Sequence, residues 1–116
     1  MSGFAAGLEP GTVTDAAALA IPHEPVPADQ VQAGAPSTGY VELTDTIGVW
    51  EMSPGAMRDV ETDEVFVVLS GSATVAFDEP SLPPIELRPG AVVRLAAGMR
   101  TVWTVHEALR KVYLAD

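Results

Sequence analysis

The 116-residue chain contains no cysteine, which excludes disulfide staples, thiolate zinc sites and thiol nucleophiles. Positive charge is scarce: 6 Lys and Arg stand against 16 Asp and Glu, a formal charge of −10. A surface this acidic repels phosphate backbones and anionic lipid, so no nucleic-acid or membrane partner is expected. Long apolar runs are missing too. The longest, Val65–Phe77, is too short to cross a bilayer and is interrupted by Ser70-Gly71-Ser72. The opening Met1-Ser2-Gly3-Phe4-Ala5 lacks the basic and apolar regions of a secretory signal, so a cytoplasmic location is expected.

The length suits one domain, which at this size buries roughly 65% of its unfolded surface. Hydrophobic residues make up 47% of the chain, a globular composition. Charge is unevenly distributed: residues 1–57 hold seven acids and no Lys or Arg, and all basic residues lie between Arg58 and Lys111. Residues 1–39 are read as a proline-rich N-terminal arm, with Pro10, Pro22, Pro25, Pro27 and Pro36 too closely spaced for sheet interior or a long helix. One short helix is predicted over Asp15–Ala20, with Thr14 as its N-cap. The stretch Ile21–Pro27 is expected to be extended, because each residue before a proline is pushed out of the α region. The arm is expected to lie against the rest of the chain or a partner subunit.

From Tyr40 onward the chain breaks into short β-rich runs: Tyr40–Leu43, Gly48–Met52, Ala56–Val60, Glu64–Leu69, Ser72–Phe77, Ile85–Leu87, Ala91–Leu95, Thr101–His106 and Arg110–Leu114. Ser70-Gly71 reads as a tight hairpin. Pro89-Gly90 fits a type II turn, and Ala97-Gly98 offers a similar one. Strands this short and frequent, with no helical pattern between them, predict an all-β sandwich or small barrel over residues 40–116.

The residues Gly48-Val49-Trp50-Glu51, Pro54-Gly55, Asp63–Gly71, Leu87–Ala91, Ala96-Ala97-Gly98, Thr101-Val102-Trp103 and Lys111-Val112-Tyr113 carry a family likeness. Taken together they resemble a single-domain cupin, of the subfamily related to (S)-ureidoglycine aminohydrolase and to the cupin domain of ethanolamine-utilisation proteins. The resemblance covers about residues 22–114 and implies a double-stranded β-helix, the jelly-roll barrel. It implies a metal-ligand set of His-x-His, Glu and a second-motif His. Here Glu64 stands at the correct separation from Gly71, but the His-x-His falls at Arg58 and Val60 or at Met57 and Asp59. Ala96 replaces the motif proline, and Thr101 occupies the last histidine position. A transition metal wants about three or four ligands. With Glu64 left, and Asp59 able to add only a second carboxylate, neither metal nor other cofactor is expected.

Glu64, Phe66 and Val68 share one strand face, as do Thr101, Trp103 and Val105; in the cupin pattern both faces line the barrel. Glu64 is the candidate catalytic acid or base, set in an apolar pocket, or else the partner of a basic side chain. The candidate pocket comprises Trp50, Met52, Arg58, Glu64, Phe66, Thr101, Trp103, Lys111 and Tyr113. Trp50 and Trp103 serve as core or as stacking walls. Arg58 and Lys111 are candidates to grip an anion, whereas Arg100 falls in a turn. His23 belongs to the arm, and His106 has the opposite parity to Trp103, so it should point away.

Three readings follow. The first is a metal-independent module binding a small polar or anionic metabolite. The second is an enzyme of the ureidoglycine aminohydrolase-like type with Glu64 as acid/base; the third is an accessory or oligomerisation subunit without ligand. A homodimer is expected, with strand exchange through residues 22–43 as one route.

Overall fold

The computed structural model describes residues 8–115; the first seven residues of the arm lie outside them. Its strands are β1 (Glu24–Pro25), β2 (Val31–Ala33), β3 (Ser37–Glu42), β4 (Ile47–Met52), β5 (Gly55–Val60), β6 (Glu64–Glu79), β7 (Leu82–Leu87), β8 (Val92–Leu95) and β9 (Arg100–Ala115). All pairings are antiparallel. The result is all-β, as the strand pattern predicted, in the jelly-roll arrangement that the resemblance implied. Among the described residues no helix is long and apolar enough to cross a membrane.

Two long strands organise it. β9 lies between β6 on one edge and, on the other, β4 and β5 placed end to end. β6 in turn pairs with β8 through its first half and β7 through its second. The inner face carries the core, with Met52, Phe66, Val68, Val75, Leu87, Leu95, Trp103 and Leu109 all at most 1% exposed. Burying each large side chain contributes roughly 1.5–3 kcal/mol.

Two expectations are corrected. Ser70-Gly71 makes no hairpin: β6 runs through it, and β9 likewise joins the two runs read as Thr101–His106 and Arg110–Leu114. The ladder between them shifts register between Val68 and Ala73, and Gly71 sits there at φ +87°. It acts as a bulge residue that bends both strands. The helix over Asp15–Ala20 also does not form. Asp15, rather than Thr14, accepts a hydrogen bond from the Ala17 amide, and the chain completes only a turn. A segment of that length cannot repay helix nucleation without packing. The two predicted turns do form, at Arg88–Ala91 and Ala96–Met99, with Gly90 and Gly98 at positive φ.

Strands begin before residue 40. β1 pairs with β3 and β2 with β5, so residues 24–33 are part of this chain's own sheet. Ahead of β1, Pro22 crosses over Gly39, where any Cβ would collide with its carbonyl. His23 hydrogen-bonds Glu51 at 2.6 Å, and Arg110 pairs with the same carboxylate at 2.8 Å while donating to the Ala16 carbonyl. Burial pushes the Glu51 carboxyl up, but the bonds from Arg110 and His23 outweigh it and hold the group low.

Candidate functional site

At one end of the inner face a cavity of about 310 Å³ opens between β3, β4, β5, β6 and β9. Ladder register explains how its chemistry assembles. Trp50 on β4 faces Lys111 on β9, Met57 faces Trp103, and Asp59 faces Thr101. Alternation then sends Met57 and Asp59 inward and Arg58 and Val60 outward. Gly48 leaves the space for the Tyr113 ring, whose atoms would strike any Cβ there.

Lys111 is the centre of this arrangement, 5% exposed. Its Nζ donates to Glu64 Oε2 at 2.6 Å and lies 4.2–4.7 Å from the ring centroids of Phe66, Trp50 and Trp103. An ammonium removed from water on three aromatic faces gains up to about 2 kcal/mol from each, which with the carboxylate offsets its desolvation. The rings brace one another, Trp103 standing 5.5 Å from Trp50 and 5.7 Å from Phe66.

A second buried carboxyl, Glu61, follows β5. Its Oε2 accepts from Thr101 Oγ1 at 2.6 Å and from Trp103 Nε1 at 2.9 Å. Asp59 lies two residues before it, half-buried, and among the described residues accepts only the Val60 amide. Burial, with Glu61 and Glu64 nearby, pushes the Asp59 carboxyl up to about 6, partly opposed by the Val60 amide and Lys111. Burial also raises the Tyr113 phenol, with Glu42 adding to it.

Because its folded-state value lies above its ordinary 3.8, Asp59 holds a proton more tightly in the folded chain. Its contribution to stability is full below about pH 4 and is lost as pH rises through about 6. Urea titrations across that range should show wild type losing about 2 kcal/mol more than Asp59→Asn. Parallel pH profiles for the two proteins would contradict this.

The sequence-predicted residues separate into three places. Trp50, Glu64, Trp103, Lys111 and Tyr113 line the cavity. Met52 is buried in the core, and Phe66 sits behind the wall, reaching the site through Lys111 and Trp103. Thr101 serves Glu61. Arg58 lies on the opposite face of β5, exposed, donating to Gln32 at 2.7 Å. Glu64 therefore takes Lys111, not Arg58, as its partner. His23 belongs to the Glu51 pair, and His106, exposed, bonds Thr74. Sequence reading missed Tyr40, at the rim, and Glu61. The alternation Met57, Asp59, Glu61 was the signal for the second.

The resemblance implies a metal held from positions that here read Met57, Asp59, Glu64 and Thr101. The Met57 side chain is in the core, the Thr101 hydroxyl donates to Glu61, and Glu64 holds an ammonium. Among the described residues no three His, Cys, Asp or Glu side chains form a metal-ligand group. These donors do not fit a transition metal.

Comparison with solved structures returns the same fold. A DUF861 family protein from Thermotoga maritima aligns at 25% identity and TM-score 0.53, over 59% of this chain and 76% of that one. Another DUF861 protein, from Pseudomonas syringae pv. tomato, aligns at 20% and 0.70, over 88% of this chain but 46% of its own. The EutQ protein of Clostridium difficile aligns at 14% and 0.53, over 82% and 66%. No curated protein matches. The model of the EutQ-like cupin domain matches residues 42–113, more than half of the sequence. The chain belongs to that family of EutQ-like cupin domains.

Proposed function

We propose that the cavity binds a small polar ligand bearing a protonated amine, and that it does so without a metal ion. The charge of the lining carries this reading: three carboxyl groups, on Asp59, Glu61 and Glu64, surround a single ammonium, Lys111, already engaged by Glu64. An anionic ligand gripped by Arg58 or Lys111 is disfavoured, since Arg58 is outside the cavity and Lys111 is taken. Glu61 is satisfied by Thr101 and Trp103. Asp59 is left to receive a cation, and the rings of Tyr40, Trp50 and Tyr113 favour one by cation–π attraction. The volume accommodates about ten water-sized groups, which also speaks against a ligand-free accessory subunit.

A thermal-shift panel of small alkylamines and amino alcohols, with carboxylates and sugars of equal size, tests this. Amines should raise the melting midpoint, by about 2.7 kcal/mol of stability at a hundred times their Kd, and Asp59→Asn should remove the gain. Stabilisation by carboxylates alone would overturn the reading.

A second reading makes the same pocket an acid–base site. Asp59, with its carboxyl near 6, supports it better than Glu64, which is tied to Lys111. It requires turnover that follows an ionisation near that pH; binding without turnover across the panel rejects it.

A further inference from the structure

The chain holds a single lysine, Lys111; Arg58, Arg88, Arg94, Arg100 and Arg110 supply the rest of its Lys and Arg, and none of them lines the cavity. Lysine is ordinarily a surface residue, almost never fully buried without a partner. Here the one lysine is 5% exposed and forms part of the cavity wall. Charge alone does not account for that choice. Arginine grips a carboxylate through two hydrogen bonds, stacks on aromatic rings and is more weakly hydrated, so it suits a buried pair better. What arginine lacks is a proton it can release and a nitrogen that can then form a covalent bond. The hydrogen bonding of Lys111 is also one-sided. An ammonium has three donors, and among the described residues only Glu64 Oε2 accepts one of them, at 2.6 Å. The others are left to the rings of Trp50, Phe66 and Trp103 and to the cavity.

We propose that Lys111 Nζ captures a small neutral aldehyde or ketone as a protonated Schiff base. Glu64 Oε2 takes one ammonium proton, and the freed lone pair of Nζ attacks the carbonyl carbon. The carbonyl oxygen takes a second proton from the same nitrogen, giving a carbinolamine. Its hydroxyl then departs as water, with the first proton returned by Glu64. A C=N bond replaces the C=O bond, two of the three ammonium protons leave in the water, and Glu64 ends as the carboxylate it began as. The iminium keeps the positive charge and one N–H. The Glu64 hydrogen bond and the attraction of the three rings therefore survive the reaction, and the donors lost are the two without an acceptor. The carboxyl groups of Asp59, Glu61 and Glu64 in the same wall repel keto acids, which confines the class to carbonyl compounds without negative charge. Lys111 carries this capture and Asp59 the amine reading, so neither depends on the other; a ligand meeting both bears an amine and a carbonyl.

Reductive trapping of the full chain is the test, with butanal and cyanoborohydride at neutral pH and peptide mass mapping of the product. Two amines are available, the α-amine and Lys111. An ordinary lysine titrates near 10.4 and an α-amine near 8, so an unassisted lysine offers about a hundredfold less free amine and is labelled correspondingly more slowly. Lys111 should instead be labelled at least as fast as the α-amine. Lys111→Arg, which keeps a cation beside Glu64, should leave the α-amine as the one labelled site. With the α-amine as internal reference, butanone should label Lys111 faster than 2-oxobutanoate does. Slower labelling of Lys111 than of the α-amine by butanal overturns the capture. Faster labelling by 2-oxobutanoate than by butanone overturns the assignment to neutral carbonyl compounds.

Discussion

Lys111→Met is expected to lower the unfolding free energy by about 3–5 kcal/mol, the cost of leaving a buried charge without its partner. Glu64, whose side chain is 14% exposed, would then be left without its counter-ion. For a domain of this size the midpoint falls by roughly 10–20 °C. The same argument predicts rescue: Lys111→Met combined with Glu64→Met removes both charges and should return to within about 1 kcal/mol of wild type. Chemical denaturation of the two single variants and the double variant gives the coupling energy directly. If Lys111→Met alone costs under about 1 kcal/mol, Lys111 is not the electrostatic centre of the site.

Gly71→Ala is expected to have an effect of similar size for a different reason. A Cβ there falls inside contact distance of the Ala108 carbonyl, at a φ that L side chains rarely adopt. The backbone strain alone costs of order 1–3 kcal/mol, and the clash forces β6 and β9 apart at their bend. A total above about 3 kcal/mol, or failure to fold, is expected. Gly90→Ala provides the comparison: Gly90 has the same sign of φ but nothing within 4 Å of its Cβ position, so it should cost about 1 kcal/mol. Equal losses at both glycines would show that conformational freedom alone, not the strand crossing, explains Gly71.

Those two positions also mark where sequence reasoning reached and where it stopped. Glu64, Trp103, Lys111 and Tyr113 were legible because strand alternation is local, and residues two apart share a face wherever the strand runs. Arg58 was not resolvable, since two registers of the motif fitted equally well. Only the ladder that sets Asp59 against Thr101 decides between them, and that contact spans 42 residues. Glu61 escaped because it lies just past β5, where alternation was no longer being counted. Gly71 was read as a hairpin because a positive-φ glycine between β-branched runs serves a turn or a bulge equally well locally. The choice is made by β9, which pairs with β6 on both sides of it. The short helix over Asp15–Ala20 failed for the opposite reason: its local signals had no packing behind them.

The chain has two tryptophans, and both indoles stand against the same ammonium, 4.7 Å from Lys111 Nζ and 5.5 Å from each other. Every photon of intrinsic indole emission therefore originates at the cavity wall. Fluorescence and near-ultraviolet dichroism, usually averages over a whole protein, become here label-free reporters of a single site, sensitive to whatever charge or ring comes to rest beside Lys111.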